Sequence, residues 1–366
     1  GLGWKDGEGN PVVNPGRPLV SELDRYKINW ELVRMEDYLH VNAHGKTPVA
    51  FYSSRGCPYK CSFCATPFYT GKSFREHSPE FVEENLAYLK NKYGVNSVFF
   101  SDDNFMINKK RGIEIIKRLH RIGVSVDTVD VRLNQIDEEV LDAYQEYGVQ
   151  GIFFGFESGN DRMLEVLQKG ITNPKMREKV KLIADRGITC WASGILGAPT
   201  ETREEMYETI DFAMWLRDTL PEGSTVSTYR YMPLPKTYLI ELAVKDGFVY
   251  PENTEEWKRI DPIGPYYTSP WIKWSTPEDE AYIAYAQELG RVKALNILKK
   301  GPWLPIKIHN FFARRIRKLV TNRKIGSGIV KVYFFLRDTY DRIQSGRRKR
   351  YTSQADFQIR QQNEAG

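Results

Sequence analysis

The chain has 366 residues, 41% of them apolar, and a formal charge of +6. No apolar run is long enough to cross a bilayer, no signal-peptide pattern opens the chain, and four cysteines are too few for a disulfide scaffold. The expectation is one large α/β domain with an appendage, working in a reducing cytoplasm.

In chain order, residues 1–46 are rich in turn chemistry, as in Asp6-Gly7-Glu8-Gly9-Asn10 and Asn14-Pro15-Gly16. The chain starts Gly1-Leu2-Gly3 rather than with Met, and the segment reads as a linker from an earlier domain and partly as a strap. Over residues 47–245, apolar β-rich runs alternate with amphipathic segments. The predicted strands are 49–53, 97–100, 126–133, 151–156, 188–196 and 225–232. Between the first two, Ser78 and Pro79 offer an N-cap and an N1 proline ahead of Val82, Leu86, Leu89 and Tyr93 at helical spacing. Thr202 and Glu205 form a capping-box pattern, and Gly94, Gly123, Gly148 and Gly187 close helical stretches. Six strand–helix repeats mean a parallel sheet with helices outside it. The pattern fits a barrel or a doubly wound sheet, and in both, ligands collect at the carboxyl ends of the strands.

The first predicted strand runs into Ser53-Ser54-Arg55-Gly56-Cys57-Pro58-Tyr59-Lys60-Cys61-Ser62-Phe63-Cys64. Cys57, Cys61 and Cys64 are spaced C-x3-C-x2-C. A tetrahedral zinc site needs a fourth ligand, and the five histidines form no pair at finger spacing. Cys190 lies far along the chain and reads as a small buried apolar residue. Three thiolates suit a cubane iron–sulfur cluster with one iron left open. The plainer alternative is a structural metal knuckle or a group of redox thiols. At the other strand ends, Asp102 and Asp103 bind a ligand or form an Asx turn capping the next helix. Arg132, on the third strand with Asp127 and Asp130, calls for a carboxylate from protein or ligand. Glu157 is either its partner or a ligand contact.

The cysteine spacing, with the aromatic Phe63 before the last Cys, resembles the signature of the radical S-adenosylmethionine (SAM) superfamily. The resemblance implies a partial (β/α)6 TIM-like barrel. It also implies a 4Fe–4S cluster held by Cys57, Cys61 and Cys64 as metal ligands and catalytic residues. The open iron would chelate the amino and carboxylate groups of SAM, and one electron would cleave the sulfonium to release a deoxyadenosyl radical. Phe63, Asp102, Arg132, Glu157 and Gly194 are the cofactor-binding positions this implies. Arg132 would meet the SAM carboxylate. Glu157, in Gly155-Phe156-Glu157-Ser158-Gly159, would lie near bound SAM. Gly194, in the run from Ser193 to Thr202, would let backbone approach the flat adenine.

The segments Asn14-Pro15-Gly16-Arg17-Pro18 with Leu23-Asp24, the approach Ser53 to Cys57, and Met232-Pro233-Leu234-Pro235-Lys236-Thr237 resemble the cobalamin-binding branch of that superfamily. Lys236 stands where the branch usually has glycine. No D-x-H-x-x-G cobalamin-ligand motif occurs, so any cobalamin would come from an N-terminal domain outside this chain. The branch implies methyl transfer to an unreactive carbon of a small, apolar or lipid-like substrate, with an electron donor such as a flavodoxin or ferredoxin. The rivals are a radical cyclase or rearrangement enzyme, and a non-enzymatic iron–sulfur sensor or nucleic-acid-binding scaffold.

Residues 246–344 read as a helical, basic substrate- or membrane-associated extension, and 345–366 as a disordered tail. Within 291–350, 18 Lys and Arg face only Asp338 and Asp341, a local +16 that leaves −10 for the rest. Interleaved with Trp303, Phe311, Phe312, Phe334 and Phe335, these cations suit peripheral contact with an anionic membrane at its inner face. Nucleic acid is the less expected partner, because the tail reads as helical and not as a small β-barrel RNA module.

Overall fold

The computed structural model describes residues 2–42, 45–258, 260, 269–273, 276 and 283. All six predicted strands form: β1 Pro48–Phe51, β2 Ser97–Phe100, β3 Ser125–Asp130, β4 Gly151–Glu157, β5 Thr189–Leu196 and β6 Thr225–Arg230. They pair in parallel and lie side by side in chain order. That order decides between the two architectures left open above. A doubly wound sheet reverses its strand order at a switch point, and this sheet never reverses. Its first and sixth strands do not pair among the described residues, so the arrangement is a partial TIM-like barrel.

Each strand feeds a helix: α1 Pro79–Tyr93, α2 Lys109–Arg121, α3 Glu138–Tyr147, α4 Asn173–Asp185, α5 Arg203–Thr219 and α6 Tyr238–Lys245. Local chemistry fixes their ends. The Ser78 hydroxyl accepts from the Phe81 amide, and Thr202 and Glu205 close a reciprocal capping box. Gly94 and Gly148 take left-handed conformations that end α1 and α3. Val82, Leu86 and Leu89 of α1 are fully buried, each contributing about 1.5–3 kcal/mol. Val98 and Phe100 of β2 join them in the core, whereas Phe99 between them faces the opposite, open side. That alternation sets the helix-covered face of the sheet against its inner face.

Residues 2–42 begin with an exposed antiparallel hairpin, Gly3–Lys5 with Pro11–Val13. Farther along, the Trp30 indole donates to Asn85 of α1 at 2.9 Å and Met35 enters the core. Asp24 accepts from the Ser78 amide at 3.0 Å and meets His77 Nδ1 at 2.7 Å. A second cluster, including Met163, Leu196, Met206, Tyr231, Leu239 and Trp271, packs near the carboxyl ends of the last strands. No described helix is long and apolar enough to cross a membrane. The basic segment 291–350 and the tail 345–366 lie outside the described residues, as does most of the predicted helical extension.

Candidate functional site

The cysteine loop leaves the carboxyl end of β1. Ser54–Arg55 pairs with Arg75–Glu76 in a two-residue antiparallel ribbon that turns the chain away from the sheet. Gly56 follows with φ +86°, and a Cβ there would overlap the Ser73 carbonyl oxygen, so glycine is required immediately before Cys57. Cys57, Cys61 and Cys64 are free and half-buried. Ser62 fixes the loop between them. Its amide donates to the Leu167 carbonyl at 3.1 Å, its hydroxyl donates to Val166 at 2.8 Å, and its carbonyl accepts from Leu239 at 3.0 Å. Phe63 packs on the second apolar cluster, so two neighbouring side chains anchor the loop to the far side of the barrel mouth.

Arg132 lies just beyond β3, before the short turn Leu133–Gln135, and is 8% exposed. Its guanidinium donates from Nη1 to the Cys61 sulfur at 2.8 Å, donates from Nη2 to the Lys169 carbonyl, and stacks over the Tyr59 ring at 4.0 Å. Its buried Nε has no partner among the described residues. The alternative pairing of Arg132 with Glu157 is not what the structure shows. Glu157, with φ +60° beyond a bulge in β4, instead binds Lys169 Nζ at 2.8 Å, with both side chains buried. Lys169 therefore stands behind both residues, one through its carbonyl and the other through its ammonium.

Asp102 is 1% exposed and turned inward. It accepts from the Ser53 amide at 3.1 Å and from the Ser53 and Ser54 hydroxyls, and burial raises its pKa. The alternative of an Asx turn capping the next helix is not realised either, since Asn108 caps α2. Asp102 ties the ends of β1 and β2 together instead. Asp103 accepts from the Gly56 amide at 3.1 Å and Thr66 at 2.9 Å, bracing the loop from below. Asp130 ends β3, and its carboxyl is pushed up to about 7 by burial and then by the charges of Asp102 and Asp103. Gly194 is buried with the Phe156 ring where its Cβ would be, so the flat ring that approaches it in this structure is Phe156.

Sequence reasoning missed Lys169, Tyr59 and Glu201. Glu201 is wholly buried, accepts from the Gly197 and Ala198 amides, and is pushed up to about 8 by burial. Trp271 donates to the Gly197 carbonyl at 2.9 Å, closing the same turn. Lys169 follows Glu157 by twelve residues in a connection, with no periodicity to flag it.

Among the described residues no group of three or more His, Cys, Asp or Glu converges on one metal ion. A cubane cluster spreads its ligands over different irons, so the three thiols of one loop suit it where a single-ion site would not. The buried, unsatisfied Nε of Arg132, whose Nη1 meets Cys61, leaves a donor for a ligand beside the loop. Residues 51–213 match the family model of the radical SAM superfamily. That stretch is a radical SAM domain, and the chemistry of its superfamily rests on a 4Fe–4S cluster and SAM. An uncharacterized methyltransferase of Pyrococcus horikoshii is 36% identical over 265 residues, 72% of this chain and 56% of that protein. The anaerobic magnesium-protoporphyrin IX monomethyl ester cyclase of Rubrivivax gelatinosus is 25% identical over 236 residues, 64% of this chain and 42% of that protein. Thus the chain spans about half the length of these relatives. The solved cobalamin-dependent SAM radical enzyme OxsB has a similar fold, with TM-score 0.55 and 15% identity over 92% of this chain and 55% of that one.

Proposed function

We propose that this chain is the catalytic barrel of a radical SAM methyltransferase of the cobalamin-dependent type, acting on an unreactive carbon of an apolar or lipid-like substrate. The observation that carries the reading is the cysteine loop at the carboxyl end of β1. Three free thiols stand there on a loop pinned at Gly56 and Ser62, within a domain of this superfamily. Methyl transfer is supported by the 36% identical methyltransferase.

Cys57, Cys61 and Cys64 hold the cluster in this reading, while Phe63 and Ser62 fix the loop and Glu157, set by Lys169, faces the SAM side. When bound, the cluster supplies one electron to the SAM sulfonium. Gly194 and Asp102 shape the pocket through Phe156 and through Ser53 and Ser54. Cobalamin would be held outside this chain. A flavodoxin or ferredoxin donor, a cytoplasmic setting and contact of residues 291–350 with anionic lipid belong to the same proposal. The cyclase relative favours a second reading, radical ring closure without methyl transfer.

Anaerobic reconstitution with iron and sulfide, then reduction with SAM, tests the first step. Deoxyadenosine in the parent and none in Cys57→Ala, Cys61→Ala or Cys64→Ala is the expected result. A parent that binds a cluster and leaves SAM intact, alone and with a cobalamin-binding domain supplied, overturns the enzyme reading. Product mass then separates the two outcomes: gain of one methyl group means transfer, and no gain of carbon means cyclisation.

A further inference from the structure

Among the described residues, Arg132 is a buried cation with no carboxylate on its guanidinium. It is 8% exposed, and its partners among the described residues are a sulfur, a carbonyl and an aromatic ring. A guanidinium stays charged at any working pH, and burying one without a counterion is costly. Nearby acids do not meet the need. Glu157 is taken by Lys169, and Asp102 by Ser53 and Ser54. The partner left is Cys61, 2.8 Å from Nη1. A neutral thiol would answer the charge poorly, whereas a metal-bound thiolate would answer it well.

We infer that Arg132 is a positioning residue that sets the reduction potential of the cluster through its hydrogen bond to Cys61, rather than a ligand for the SAM carboxylate. This inference rests on the assignment of the three cysteines to the cluster. Reduction adds one negative charge beside the loop, and a fixed cation with a donor on a ligating sulfur stabilises that added charge. The potential is therefore raised. The guanidinium is held in place from two sides, since the Tyr59 face supports it and the Lys169 carbonyl takes its second nitrogen. The Glu157–Lys169 ion pair in turn fixes Lys169. Nε remains as a further buried donor without a partner among the described residues.

The test is a potentiometric titration of the reconstituted chain by electron paramagnetic resonance, without SAM, comparing parent, Arg132→Gln and Arg132→Lys. Loss of a charge-assisted hydrogen bond predicts a fall of about tenfold in the reduced-to-oxidised ratio of Arg132→Gln at fixed potential, which is 59 mV for a one-electron couple. Arg132→Lys keeps the charge and falls less. An Arg132→Gln variant with full iron content and the parent's potential overturns the inference. So does an unchanged potential accompanied by weakened SAM binding, which would return Arg132 to the substrate carboxylate. Should Arg132→Gln take up no iron, Tyr59→Leu is titrated, because it keeps the guanidinium and loosens its seat. A more negative potential supports the inference and an unchanged one overturns it. A parent that takes up no cluster overturns the cysteine assignment itself, a failure distinct from the others.

Discussion

Asp130→Asn is expected to stabilise the protein, and more so as pH rises. Asp130 sits at the end of β3, opposite Phe153 of β4, with its backbone carbonyl taken by the Phe105 amide at 2.7 Å. Burial and the nearby Asp102 and Asp103 charges push its carboxyl from the ordinary 3.8 up to about 7. The sign follows from linkage. The folded state binds the proton more tightly than the unfolded chain, so this group's contribution is fully present below about pH 4. It is lost as pH rises to about 7 and constant beyond. At 1.36 kcal/mol per unit the full loss is about 4 kcal/mol, and water reaching a partly buried group brings the working value to about 2 kcal/mol.

Urea unfolding of parent and variant at pH 5 and pH 7.5 reads this directly. Part of the loss already falls below pH 5, so the variant's advantage should grow by about 1 kcal/mol between the two conditions. Glu201, pushed up to about 8, also withdraws stability as pH rises, but it does so in both proteins and cancels in the difference. A difference that does not change with pH would refute the reasoning. A variant that becomes relatively weaker at pH 7.5 would show that Asp130 is paired as a carboxylate.

Lys169→Met strands Glu157 as a buried, unpaired carboxylate and should cost about 3–5 kcal/mol in urea unfolding, with Lys169→Met/Glu157→Gln recovering much of it. Gly56→Ala puts a side chain at φ +86° and against the Ser73 carbonyl, so the loop must move. Its stability should fall by about 1–3 kcal/mol, and its iron content after reconstitution should fall with it. Thr202→Ala removes one half of the α5 capping box and should cost about 1 kcal/mol in the same assay, with no change in iron content.

The barrel is legible in the sequence because its signals are local. Val98-Phe99-Phe100 is a short apolar, β-rich run, and Ser78-Pro79 and Thr202 with Glu205 announce helices from adjacent or near positions. The third strand shows where locality ends. Its apolar run continues to Leu133, yet the strand stops at Asp130 because the chain enters a tight turn at Leu133–Gln135. What fills the site is decided by residues far apart in sequence. Asp102 has the composition of a ligand, but whether its oxygens face a pocket depends on Ser53 and Ser54, some fifty positions earlier. A buried arginine such as Arg132 usually seeks a carboxylate, and the sequence offers Glu157, at the end of the next strand, as one candidate. Lys169 decides against that pairing. Its ammonium takes Glu157 and its carbonyl takes Nη2 of Arg132, while Nη1 goes to Cys61. A sequence gives the charge of each of these groups, but the pairing follows from the order in which the strand ends are set side by side. A lysine in an irregular connection carries no mark of that order until the sheet has formed.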